Sequence, residues 1–191
     1  MLAHNKKEEE FYKFLEKEIE PISFGELKET AYRASVYLLD NTYIPCVLFR
    51  NSYAQTDRAI RTFDETRNKI PADPRIGYRQ HVRAFTTGDN IIASDIISRI
   101  EKSPFAISTA CYLELSAMME LEGGGISFLG KMKDGQKFNY FIDSDVEFIE
   151  MPNGYVASQL IEIIPHTRRD DFKDLKEKFF FNCYLDYIPY P

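Results

Sequence analysis

The chain is short of the residues that build metal centres and covalent staples. Its three cysteines, Cys46, Cys111 and Cys183, are odd in number and far apart, and no C-x-x-C pair exists. Its three histidines, His4, His81 and His166, are equally scattered. No disulfide framework and no metal site are expected from such spacing. Cys111 lies just past an apolar run, where a nucleophile can sit, but a lone thiol there reads more simply as a small buried hydrophobe. Long apolar runs are missing as well, and Lys6-Lys7 leads straight into Glu8-Glu9-Glu10. These features speak against a membrane span and a signal peptide, so the expectation is a cytoplasmic protein with no membrane partner. Nor is positive charge in excess: the net charge is −6 and the pI about 5.2. The basic pair Arg168-Arg169 is followed at once by Asp170-Asp171, and a nucleic-acid partner is not expected.

What is present is an ordinary globular composition, 44% hydrophobic and 28% charged over 191 residues. That length is enough for a buried core. Phe11, Phe14, Leu15 and Ile19 at helical spacing predict an amphipathic helix over residues 7–20, ended by Pro21. Ser23 and Glu26 have the spacing of a capping box, which predicts a second helix running to about Asp40. Residues 1–43 thus read as an N-terminal helical extension, and 44–191 as an α/β nucleotide-binding-like domain.

Within 44–191 short apolar runs alternate with helical patterns. Strands are predicted at Val47–Phe49, Gln80–Thr86, Phe105–Ile107, Ile126–Leu129 and Val146–Ile149. Helices are predicted over 53–69, over 91–102 (Ile92, Ile96, Ile100), from Tyr112 to Glu122, from Gly154 onward, and near 170–180. Repeated strand–helix alternation predicts an α/β, flavodoxin-like three-layer sandwich with a parallel sheet of about five strands. It carries two N-terminal helices and a C-terminal helix. The alternative is an antiparallel hairpin turned at Asp134-Gly135; the short, unalternating runs at 105–107 and 126–129 favour doubly covered parallel strands. The aromatic tail, with Phe179, Phe180, Phe181, Tyr184, Tyr187 and Tyr190, predicts packing on the body or on a second subunit in a homo-oligomer.

The segment from Asp95 to Gly130, DIISRIEKSPFAISTACYLELSAMMELEGGGISFLG, resembles the central signature of the TIR-like and nucleoside 2-deoxyribosyltransferase-like superfamily. Glu114-Leu115-Ser116 stands where that family has Glu-Leu-Gly, and the likeness extends more loosely over residues 47–165. Ser108-Thr109-Ala110 replaces a strand end that is acidic in many members, and Ser116 replaces the glycine. The resemblance implies a nucleotide- or NAD-binding protein, with NAD or a nucleoside as substrate or ligand and no other cofactor. It makes Glu114 the catalytic carboxylate of an N-glycosidase or ribosyltransferase, cleaving through an oxocarbenium-like transition state.

In a sheet of order 2-1-3-4-5 the ligand crevice lies between strands one and three. Arg50, Asn51, Ser52 and Tyr53 would leave the first strand there, Ser108 and Thr109 the third, with Asp89 at the same edge. Arg50 would neutralise phosphate and Tyr53 would stack on a base or sugar. Each residue has a plainer role: Glu114 as a helix-dipole partner, Arg50 as a solvated strand end, Ser52 as a helix cap, Asp89 as turn chemistry. Two readings stay open, a base–ribose-cleaving enzyme and a catalytically silent sensor or protein-interaction module. The triple glycine Gly123–Gly125 follows a helix and precedes a strand, the reverse of a phosphate loop, and reads as a helix stop.

Overall fold

The computed structural model of the chain describes residues 6–24, 28–53, 90–122, 125–142, 146–152, 154–165 and 173–189. The predicted helix over 53–69, the predicted strand 80–86 and Asp89 fall outside these, apart from Tyr53 itself. The α-helices are α1 (Lys6–Glu18) and α2 (Thr109–Glu122), and Ser52 and Tyr53 are also helical. The strands are β1 (Pro21–Phe24), β2 (Glu29–Leu38), β3 (Tyr43–Asn51), β4 (Ile97–Lys102), β5 (Ile126–Met132), β6 (Lys137–Ile142), β7 (Ile149–Glu150), β8 (Leu160–Pro165), β9 (Lys173–Asp174), β10 (Lys176–Glu177) and β11 (Phe181–Leu185).

They form a five-stranded mixed sheet, a four-stranded sheet and a two-stranded ribbon of β7 with β10. In the first sheet β2 is central, with β3 on one side and β1 and β4 sharing the other, all antiparallel; β11 joins β3 in parallel. In the second, the order is β8-β5-β6-β9, and only the short β6–β9 pairing is parallel. The flavodoxin-like parallel sandwich is therefore overturned. Phe128 faces Tyr140 across an antiparallel ladder turned at Asp134-Gly135. Beyond the short run at 126–129, β5 continues as a true alternation, with Ile126, Phe128, Gly130 and Met132 buried and the residues between them half-buried.

Several helices of the sequence reading are strands for one physical reason. The second N-terminal helix is the hairpin β1–β2: Thr30, Tyr32, Val36 and Tyr37 are strand formers, and pairing on both edges overrides the capping box. Because β2 is covered on both faces, it shows no clean period. The isoleucines of 91–102 do not form a helix; Ile97 and Ile100 are buried in β4 while Ile96 is exposed in a 3₁₀ turn (Ser94–Ile96). The predicted helix after Gly154 is likewise a 3₁₀ turn (Ala157–Gln159) followed by β8. Residues 105–107 are irregular, only Ile149 of the 146–149 run is in a strand, and the predicted helix near 170–180 holds β9 and β10.

The two larger sheets repeat one plan: a hairpin (β2–β3, β5–β6), a 3₁₀ turn leading to a strand on the hairpin's first strand (β4, β8), and a parallel strand on its second (β11, β9). The match extends to single hydrogen bonds. Leu38 N–H donates to Thr42 O and Leu39 N–H to Ile96 O; Met132 N–H donates to Gln136 O and Lys133 N–H to Gln159 O. In each case the last residue of the hairpin strand pairs with the first of the third strand, Leu38 with Ile97 and Met132 with Leu160. A helix precedes each unit.

Leu15 of α1 and Ile19 just beyond its end lie on one face of the first sheet, against Tyr32, Val36, Val47 and Phe49. α2 is shared: Cys111, Tyr112 and Leu115 fill a core between Ala31, Cys46 and Leu48 of the first sheet and Ile126, Phe128, Met132 and Tyr140 of the second. Gly130 is part of that fit, since a Cβ there would lie 2.7 Å from the Tyr140 ring and 2.8 Å from Leu160. No helix among the described residues is long and apolar enough to cross a membrane.

Candidate functional site

A cavity of about 530 Å³ opens where the two units meet. That volume is within the range of small-molecule sites. Its wall combines the last residue of α1 and the two after it (Glu18, Ile19, Glu20), Arg33 of β2, the end of β4 and the residue after it (Lys102, Ser103), the approach to α2 (Ala106, Ile107, Ser108), Lys133 of the β5–β6 turn, and Ser158, Leu160 and Ile161 around the second 3₁₀ turn. Three cations and two carboxylates thus line it, a local surplus of positive charge in a chain of net charge −6.

Arg33 is the centre of this wall. It sits in the middle of β2, opposite Leu48, on the face covered by α2, and is only 3% exposed. Its Nη2 donates to Ile107 O at 2.8 Å and Nη1 to Glu147 O at 3.3 Å, while the guanidinium lies 4.8 Å from the Tyr112 ring. All of these partners are neutral. It forms no ion pair, and its Nε has no hydrogen-bond partner, among the described residues. Burial pushes its pKa down to about 10, against the weaker pull of Tyr112, Glu147 and Glu20 in the other direction. Among the described residues the hydrogen bonds of this buried cation go to carbonyls and not to a carboxylate, which favours an anion beside it.

The N-terminus of α2 adds to it. The first N–H groups of a helix have no intrahelical partner and carry the positive end of its dipole. Here Thr109 N–H donates to Glu20 Oε2 at 3.0 Å and Cys111 N–H to Ser108 Oγ at 3.3 Å. Lys102 and Lys133 are exposed at the rim and make no ion pair among the described residues.

The residues singled out in the sequence are divided by the structure. Ser108 lines the cavity and Thr109 begins the helix beside it. Arg50 is elsewhere: it is buried, with Nε and Nη2 both donating to Glu29 Oε1, Nη1 reaching Asn182, and the Phe24 ring 4.6 Å away. Asn51 is also buried, its amide donating to Ile188 O and its Oδ1 accepting from Tyr53 N–H. Ser52 donates to Asp186, and Tyr53 is exposed. Glu114 lies exposed on α2, off the cavity wall. Its charge adds to burial in pushing the Cys111 thiol up.

Cys111 is itself buried, as are Cys46 and Cys183, whose thiols burial pushes up to about 12. None has the depressed pKa of a nucleophile. No group of three or more His, Cys, Asp and Glu suited to a metal ion occurs among the described residues.

Arg33, Lys102, Lys133 and Glu20 were not singled out by sequence reasoning. The available signal was Arg33 itself, one charge inside the β-forming run Thr30–Leu38, in a segment read as a helix. Compared with protein-family models, curated proteins and solved structures, the chain matches none.

Proposed function

We propose that the chain is a binding protein for a small phosphate-bearing molecule, a nucleotide or a sugar phosphate, taken up in the cavity at the start of α2. The observation that carries this reading is Arg33, a guanidinium on the cavity wall that is buried and, among the described residues, has no ion pair within salt-bridge distance and an unsatisfied Nε. A phosphoryl group supplies both the missing charge and the acceptor oxygens that a guanidinium binds best. Lys102 and Lys133 add charge at the rim, helix N–H groups suit the same oxygens, and Ser103, Ser108 and Ser158 offer hydroxyls. Glu18 is an acceptor for sugar hydroxyls. Cleavage of a base–ribose bond forms no part of this proposal, because Glu114 stands outside the cavity.

The test is calorimetric titration of wild type and Arg33→Met with ADP, ribose 5-phosphate and inorganic phosphate. Wild type is expected to bind at least one in the micromolar to millimolar range, and Arg33→Met to lose about tenfold or more. A preference for ADP or for ribose 5-phosphate separates the two ligand types. No heat with any of the three, or equal binding by the variant, refutes the reading.

A further inference from the structure

The seat for the anion is already taken by the protein's own carboxylate. Glu20 stands between the end of α1 at Glu18 and the start of β1 at Pro21. Its Oε2 accepts the Thr109 N–H at 3.0 Å, and Thr109 Oγ1 donates to Pro21 O at 3.0 Å. Two bonds therefore hold this short connection on the first turn of α2, with the Glu20 carboxylate on the cavity wall. In the other unit the helix carries its own acidic side chain in the first turn: Glu8 of α1, whose carboxylate accepts a hydrogen bond from Ser94 Oγ at 2.6 Å in the 3₁₀ turn before β4. In α2 the first-turn side chains are the short Thr109, Ala110 and Cys111, so no residue of that helix can fill the equivalent place.

We propose that Glu20 is a tethered competitor for the ligand's anionic group, displaced when the ligand binds, and that it sets specificity for a dianionic phosphate over a singly charged carboxylate. This rests on the cavity being an anion site. The physical basis is competition between like groups. A free carboxylate offers Thr109 N–H nothing that Glu20 does not, and must compete with a tethered group whose effective concentration is on the order of millimolar. A phosphate brings a second charge and further oxygens for Arg33, which among the described residues has no ion pair, Glu20 included. Glu20 is exposed at the cavity mouth and rides on a connection between elements, so it can swing away without disturbing the core.

The test compares Glu20→Ala with Glu18→Ala, using inorganic phosphate and acetate as probes. Both variants remove one negative charge from the same wall, but only the first empties the seat. Glu20→Ala is expected to bind phosphate about tenfold more tightly than wild type, the worth of one charge-assisted hydrogen bond. Glu18→Ala is expected to gain about twofold from charge alone. Acetate binding should become measurable in Glu20→Ala only, narrowing the preference for phosphate. In wild type the Thr109 amide resonance should shift on phosphate titration, a readout independent of any substitution. Equal gains in the two variants, or an unmoved Thr109 amide with phosphate bound, overturn the proposal while leaving the cavity as an anion site. No binding of phosphate by any of the proteins overturns both.

Discussion

Asn41 and Gly135 occupy the same place in two different hairpins. Their φ angles are 67° and 85°, and each donates its N–H to the carbonyl of the residue that ends the preceding strand, Leu38 and Met132 respectively. Before each stands an aspartate, Asp40 or Asp134, whose Oδ1 accepts the N–H two residues on, from Thr42 or Gln136. Those bonds hold both carboxyls below their usual range, the backbone N–H being the largest cause. The two units of the fold are thus closed by one turn device written with different residues.

The left-handed backbone at these positions sets the first prediction. Gly135→Asn and Asn41→Gly should each change stability by less than about 0.5 kcal/mol, since both residues tolerate that region. Nothing lies within 4 Å of a Cβ at Gly135, so sterics with distant atoms do not enter. Gly135→Val and Asn41→Val should each lose about 1–2 kcal/mol in urea unfolding. A neutral valine at either position would contradict the shared turn.

Arg50 and Glu29 make the second prediction. The pair is buried, Glu29 being 2% exposed and Arg50 5%, and the arginine is also flanked by the Phe24 and Tyr184 rings. Glu29→Gln leaves a buried guanidinium without its counter-ion and should lose about 3–5 kcal/mol. Replacing both residues by methionine should cost less than Glu29→Gln alone, because it removes the stranded charge together with its partner. A double variant less stable than the single one would show that the ring contacts and Asn182, not the ion pair, hold this region.

The third prediction is alkaline. Burial pushes the Cys46 and Cys183 thiols from 9.0, and the Tyr32 and Tyr140 hydroxyls from 10.0, up to about 12. For each, the unfolded chain releases its proton first, so the stabilisation is whole below the unfolded value and is lost as pH rises through the folded one. Arg33 opposes them, because its value is lowered and its unfavourable burial is relieved above about pH 10. Unfolding free energy should be level to pH 9 and decline from pH 9 toward 12, four groups outweighing one. Cys46→Ala with Cys183→Ala should flatten the first part of that decline. At pH 8 no thiol should react with a disulfide reagent until the protein unfolds. A rise in stability between pH 9 and 10 would contradict these assignments.

Local patterns were legible where one element's own residues decide its form. α1 follows from Phe11, Phe14, Leu15 and Ile19, and α2 was expected from Tyr112 to Glu122 against an observed Thr109–Glu122. β3 and β5 were found at the predicted Val47–Phe49 and Ile126–Leu129, though both run longer. β2, β4 and β8 were misread as helices because their isoleucines, alanines and tyrosines suit either period, and only a waiting partner strand selects the extended form. Ser108 was legible as a polar residue near a helix start. Arg33 was hidden by the helix assigned to its segment.

By itself, the sequence determined the composition of a buried core, α1 and α2, and the isolation of its cysteines. These depend on spacing within a few residues. The tertiary structure alone decided that Asp134-Gly135 joins antiparallel neighbours, that β11 lies beside β3, and that Arg33, Glu20 and Lys133 meet at the start of α2. Each of these joins residues whose separation along the chain carries no local signal, and each is set by which edge or face is left to be covered.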